Sequence, residues 1–361
     1  MPLWPVHRAV HCRALIAAAA GVAATACGAA QPFPAPAAPA ATAAADRAAV
    51  PTADAAPSAA SYTGPVAPLT GLPAAGTAAA ARPAVALTVA GADPRGLSHA
   101  DVVFEEISHP VRYIAVFQSQ LPPAVGPITS TLPTDGMTLS VLHPLIGYSG
   151  GTPSFIQVLD ATKVIDAGYP AHASLYRSGP AGVTAAPGRM VRAARDTAPP
   201  ELFPYRGAGL GSGDELASRG VWHPATVTVR IPGEPTQVWS FEPRRDRWLL
   251  TRGGPRLRVA NVIVQRVRFK TVYLSRRYHL TTGSARVIGK GSAVVFSGVQ
   301  GAGAQPSQGG LAASGTWRKP GLRDVTNYLD GNGLPMYLEP GPTWVVLAPQ
   351  GTRVQTSGAP R

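Results

Sequence analysis

The chain has 361 residues, 14% of them charged, with two cysteines and a net charge of +13. Cys12 and Cys27 both stand at the N-terminus, which leaves the rest of the chain no disulfide framework and no cysteine-built metal centre. The length allows two lobes or one large domain, and the surplus of base favours polyanionic partners.

Residues 1–26 have the layout of a secretory leader. Arg8 and Arg13 form a basic head, an apolar run follows over 14–26, and it ends in Ala24-Thr25-Ala26-Cys27. Cysteine directly after small residues resembles a bacterial lipobox, although Ala24 stands where Leu is usual. The expectation is a chain cleaved before Cys27, diacylated there, and held outside the cytoplasm on the cell membrane. The apolar run is too short for a spanning helix, which needs about 20 residues. Residues 27–66 are mostly Ala and Pro and cannot bury enough surface to offset their ordering entropy, so they read as a disordered spacer.

The next segment, 67–206, reads as an N-terminal α/β domain. Strands are expected over 83–90, 100–107 and 111–118, the last β-branched and aromatic with turn residues on either side. Thr134 and Asp135 offer an N-cap for a helix through about His143. A short apolar run over 145–148 leads to Gly150-Gly151. Thr152-Pro153 then opens a helix to about Ala161, because proline suits the first helical position. A further helix is expected around 189–195. Strands alternating with helices suggest an α/β lobe.

The pattern changes after Pro204. The Gly/Ser-rich run 207–213 marks a boundary, and 214–349 reads as a β-rich, antiparallel C-terminal lobe. Strand runs fall at 225–231, 236–241, 247–250, 259–274, 293–297, 336–338 and 343–347. Residues 350–361 read as a disordered tail. The fold class is therefore α+β and two-lobed. Charge divides along the same line: 68–200 carries eight basic and eight acidic residues, whereas 201–361 carries 21 against nine. Between Arg244 and Lys290 lie 13 basic residues and one acid, Asp246. Arg266, Arg268 and Lys270 alternate with Val267 and Phe269, which on a strand puts the cations on one face. That face is either solvated surface or a contact for anionic lipid or wall polymer. Nucleic acid is not expected, since aromatics do not interleave as a stacking platform requires.

Several segments resemble a known family. Ser98-His-Ala-Asp-Val-Val-Phe-Glu-Glu-Ile107, Arg112-Tyr-Ile-Ala-Val-Phe-Gln-Ser119, Val125-Gly-Pro127 and Tyr148-Ser-Gly-Gly151 resemble the N-terminal domain of the YerB-like bacterial lipoproteins, domain-of-unknown-function family 3048. Ala260-Asn-Val-Ile-Val-Gln265, Gly315-Thr-Trp-Arg-Lys-Pro320 and Pro342-Thr-Trp-Val-Val-Leu347 resemble its second domain. The resemblance spans about 68–349 and implies location and fold more than a reaction. Two departures stand out. Where family members carry Gly-Pro-Val-Arg-Ser-Ala-Arg-Pro, this chain has Gly126-Pro-Ile-Thr-Ser-Thr-Leu-Pro133, with Thr129 and Leu132 in place of the arginines. The family's Pro-His-Asn motif after an arginine is missing downstream of Arg177. The family's two arginines and polar trio would suit an anionic ligand, since guanidinium forks hold phosphate or carboxylate at two points. This chain has lost much of that pattern.

No motif settles a reaction. Gly147-Tyr-Ser-Gly-Gly151 matches the nucleophile-elbow pattern around Ser149, but no acid or histidine follows in a diagnostic context, and a tight turn before a helix explains the run. Asp101, Glu105 and Glu106 lie near Arg112. Paired carboxylates can do acid–base work or hold a hard cation; equally, they can be structural partners of the arginine. With Gln118, Ser149, Gly150 and Gly151 they form the best candidate ligand cleft. The histidines show no metal spacing, and no cofactor is expected. The leading functional expectation is a non-catalytic envelope binding or scaffold protein. The alternative is an envelope enzyme acting on a phosphorylated or glycosidic wall precursor through Asp101, Glu105 and Arg112.

Overall fold

A computed structural model describes residues 63–108, 110–194, 197–206, 220–299 and 309–358. The leader, Cys27, nearly all of the Ala/Pro spacer and the 207–213 run lie outside the described residues.

After a short helix α1 (Thr77–Ala80), the chain forms β1 (Val85–Ala90), β2 (Val102–Glu106) and β3 (Arg112–Phe117), all within the expected strand segments. Then come α2 (Pro133–Leu139), β4 (Leu145–Gly147), α3 (Pro153–Ala161), β5 (Ile165–Asp166), the small hairpin β6 (Tyr176–Gly179) and β7 (Gly182–Ala185), and α4 (Pro187–Ala193). Helix α3 starts where the Thr152-Pro153 signal placed it and buries Phe155 and Leu159, four residues apart on one face. Helix α2 differs from expectation at its start. Its N-cap is Leu132, and Asp135 is the third helical residue, whose Oδ2 accepts the Leu132 N–H at 3.0 Å.

The C-terminal half contains β8 (Thr226–Arg230), β9 (Gln237–Glu242), β10 (Arg247–Arg252), β11 (Arg258–Val259), β12 (Asn261–Ser275), β13 (Leu280–Arg286), β14 (Gly289–Ser297), β15 (Leu311–Lys319), β16 (Asn327–Asp330), β17 (Thr343–Pro349) and β18 (Arg353–Ser357). Three expectations need correction. Residues 336–338 make no strand and only bridge Tyr205 through Leu338. The supposed disordered tail instead contains β18, which pairs antiparallel with β8 from Arg353↔Arg230 to Ser357↔Thr226. A polar run such as Arg-Val-Gln-Thr-Ser is ordered when an existing sheet edge offers it a ladder. The lobe is also not wholly antiparallel, because β12 and β17 run parallel.

The large sheet has the order β16-β15-β14-β12-β17-β2-β3-β1-β4-β5, with β13 also paired to β12. Strand β17 is the seam. It runs parallel to β12 on one side and to β2 on the other, from Thr343↔Val102 to Leu347↔Glu106. The two halves read from the sequence are thus joined by main-chain hydrogen bonds. A second sheet, β11-β10-β9-β8-β18, packs on one face of the first.

Two cores follow from the period of 2. Val85, Leu87, Val89, Trp344 and Val346 enter the core that holds Trp239 and Trp248 of the second sheet. Ala86, Val345 and Leu347 enter the opposite core with Ile114, Leu139 and Ile146. Central strands buried on both faces read as unbroken apolar runs, which is why β1 and β17 are so apolar. Among the described residues no helix is long and apolar enough to cross a membrane.

Candidate functional site

The acidic and basic residues near β2 and β3 do not form one cleft. Asp101 precedes β2, is buried, and caps the end of β3. Its Oδ2 accepts the Gln118 N–H at 2.5 Å and the Ser119 N–H at 2.7 Å, and its Oδ1 accepts the Ser119 hydroxyl. Burial raises its pKa, while those hydrogen bonds and nearby Arg82 pull it back. The Gln118 amide is turned away and donates to the Ala79 and Ala80 carbonyls.

Glu106 and Arg112 meet on the other side of the strand pair. Arg112 Nη1 lies 2.8 Å from Glu106 Oε2 and 2.7 Å from Asp135 Oδ1, and Nη2 lies 2.8 Å from Asp135 Oδ2. All three side chains are buried. Burial works against the Arg112 charge, but Asp135 and then Glu106 overcome it and lift its pKa above the ordinary arginine value. Burial raises the Glu106 pKa, with Arg112 opposing. Asp135 also accepts the Thr131 hydroxyl at 2.9 Å, so this ion cluster clamps the start of α2 to β2 and β3. The ion-pair reading of Arg112 therefore holds for Glu106, and Asp135 is the partner the sequence did not reveal. Only the long loop between β3 and α2 brings it there.

Glu105 faces a third place. Its Oε1 accepts from Gln237 Nε2 at 2.6 Å and its Oε2 from Trp344 Nε1 at 2.8 Å. It lies on the wall of a pocket of about 420 Å³ between the two sheets, with Gly91, Val111, Tyr113, Glu234 and Gly253. Desolvation pushes its pKa up to about 7, with Glu234 adding to the rise. Asp101 and Glu105 are four residues apart and share strand parity, yet the end of β3 claims one and the second sheet claims the other. Glu234, Gln237 and Trp344 have no local signal as neighbours of Glu105; the seam and the second sheet assemble them.

Ser149 stands in a turn. Its N–H donates to the Thr129 carbonyl, and the Gly150 carbonyl accepts from Thr131. Among the described residues no histidine or carboxylate bonds the Ser149 hydroxyl. A Cβ at Gly151 would stand 2.8 Å from Thr131 Cγ2, so close packing requires the glycine. Thr129 and Leu132, the two positions where the resemblance implies arginine, line a recess of about 160 Å³ together with Arg112, Leu274 and Thr282.

The basic strand is arranged largely as its alternation predicts. Val267 is buried, Phe269 is half-buried, and Arg268 and Lys270 are exposed. Arg266 is half-buried and its Nε donates to the Thr352 carbonyl at 3.1 Å. It anchors the chain just before β18, so among the described residues the cations of this face left without a bonded partner are Arg268 and Lys270. Beyond Val267, β12 leaves β14 and β17 and, among the described residues, pairs only with β13, from Arg268↔Arg286 to Ser275↔Leu280. The exposed cations Arg276 and Arg277 stand at the end of this two-stranded ribbon.

The family model for the N-terminal domain of the protein of unknown function DUF3048 matches residues 69–203, and the model for its C-terminal domain matches 228–345. The chain belongs to the DUF3048 family. The crystal structure of the YerB protein from Bacillus subtilis has the same fold, with a TM-score of 0.61 at 17% identity, covering 81% of this chain and 99% of that one. No curated protein matches the chain. Within this DUF3048 fold, the C-terminal match ends inside the seam strand β17, at Val345, and that strand pairs with β2 of the N-terminal match.

Proposed function

We propose that this DUF3048 protein is an extracytoplasmic lipoprotein, tethered through Cys27, that binds the anionic surface of the cell envelope through its C-terminal half. The observation that carries the reading is the charge of the ribbon and its surroundings. From Arg247 to Arg323 the chain holds no Asp or Glu and 14 Lys and Arg residues. Arg268, Lys270, Arg276 and Arg277 in that stretch are exposed. Such a field attracts polyanions and concentrates them near the surface.

The enzyme alternative finds little support in the geometry. Asp101, Glu105 and Arg112 are buried in three separate hydrogen-bonded settings, and no reacting group could reach all three.

Pull-down of the chain from residue 57, which forms one compact unit, on isolated cell wall and on anionic liposomes tests the reading. Binding should be retained at low salt and weaken at physiological salt, because exposed charges are screened over about 8 Å at that ionic strength. Replacing Arg268, Lys270, Arg276 and Arg277 together with Gln should abolish it. Salt-insensitive binding, or none, rejects the reading. Arg266 is left intact in this variant, because its bond to Thr352 makes it part of the fold.

A further inference from the structure

The end of the β12–β13 ribbon carries more than charge. Tyr273, Leu274, Tyr278 and Leu280 are among the exposed large hydrophobic side chains, at 46%, 37%, 67% and 55%. Four of them on one short hairpin end is unusual for a surface that meets only water. Arg276 stands over the Tyr273 ring at 5.2 Å and Arg277 over the Tyr278 ring at 5.4 Å. Each arginine thus covers an aromatic face while its charge stays in solvent. The ribbon's base is fixed: Thr134 Oγ1 lies 3.0 Å from Ser284 Oγ and accepts the Ala285 N–H at 2.9 Å, and the Thr282 hydroxyl donates to the Ser108 carbonyl. Beyond Thr282 no bond to another element holds it among the described residues; Leu274 alone reaches back to the recess beside Arg112.

Tyrosine and leucine interleaved with arginine, in a stretch of sequence from 247 to 323 that holds no Asp or Glu, matches the chemistry of a lipid–water interface. Tyrosine rings settle at headgroup level, leucine gains by entering the acyl boundary, and arginine meets lipid phosphate while its stem stays apolar. A soluble or wall-bound polyanion would use the cations and leave the apolar side chains in water. We propose that the 273–280 end of the ribbon docks into an anionic phospholipid bilayer, with Tyr278 and Leu280 entering the interface. This rests on the envelope-binding reading above and names its partner.

The test uses the chain from residue 57 with vesicles of phosphatidylcholine alone or mixed with phosphatidylglycerol, and a soluble polyanion, polyglutamate, as comparator. Both tip side chains are exposed, so Tyr278→Ser with Leu280→Ser should leave the fold intact. The double variant should bind mixed vesicles about tenfold more weakly than wild type and bind polyglutamate equally well. The two native cysteines precede residue 57, so Tyr278→Cys adds a unique site for an environment-sensitive dye, whose emission should shift to the blue on mixed vesicles. Equal vesicle binding by wild type and double variant, or bound protein with no dye shift, overturns the proposal and leaves the charge reading standing. Binding to polyglutamate but to no vesicle also overturns it, in favour of a wall polymer. Concentration-dependent mass in sedimentation that the double variant abolishes overturns it in favour of a second copy of the chain. Binding to neither vesicles nor polyglutamate removes the envelope-binding reading itself.

Discussion

Three buried carboxylates beside β2 differ in what neutralises them, and their energetics differ with it. Glu106 and Asp135 share Arg112. Arg112→Met would leave two carboxylates buried without their cation, a loss of about 3–5 kcal/mol, read as a lower urea midpoint at unchanged slope. Among the described residues Glu105 has only an amide and an indole N–H as bonded partners. Its pKa rises from 4.5 in the unfolded chain to about 7 in the fold. The folded state therefore binds the proton more tightly, and stability must fall as pH climbs through that interval, by about 3 kcal/mol from this residue. Urea midpoints measured from pH 5 to pH 8 should show that decline. Glu105→Gln should make it shallower without removing it, because burial also pushes Glu339 up to about 7. That Asp101, Glu105 and Glu106 lie close to Arg112 was legible from their spacing. Their separate partners were not: Asp135 comes from the next helix and Trp344 from the far end of the chain.

Among the elements, the apolar and β-branched strands were readable, and the small-residue ones were not. β1, β3 and β17 announce themselves because both faces are buried. β15 is Leu-Ala-Ala-Ser-Gly-Thr-Trp-Arg-Lys, whose small residues hide any period. Gly315 within it is required by packing, since a Cβ there would collide with the Leu329 carbonyl of β16. β18 is polar and half-exposed, so nothing local marks it; the open edge of β8 does. A chain ended after Gln350 would expose that edge and strand Arg266 without its Thr352 acceptor. The expected result is a melting temperature lower by roughly 5 °C and a new tendency to associate through β8, seen in thermal scans and light scattering.

At the scale of the molecule, the two family-matched spans are not independent folding units. The N-terminal sheet ends at β2, and its next strand is β17, about 240 residues later in the chain. Residues 63–206 expressed alone would present the bare β2 edge and lose Trp344 from their core. That fragment should be unfolded or aggregated by circular dichroism and proteolysis, and co-expression with 220–358 should restore a protease-resistant complex. Independent folding of 63–206 would show that the seam is dispensable. Charge follows the same division: the second sheet and the ribbon are both built from the cationic half, after residue 206.

The sequence by itself determined the α+β class, most strand positions, the start of α3, the family and the concentration of base after residue 200. Each of these depends on local pattern: period, turn chemistry, capping and composition act within a few residues of where they are read. The tertiary structure alone decided that β17 joins the halves, that Asp101, Glu105 and Glu106 face three different partners, that Arg266 is a strut, and that β12 outruns its sheet to lift Tyr278 and Leu280 into solvent. Period 2 tells which residues share a face of a strand. Which strand lies beside it, and where its ladder stops, depend on pairings between distant segments that only the packed core selects.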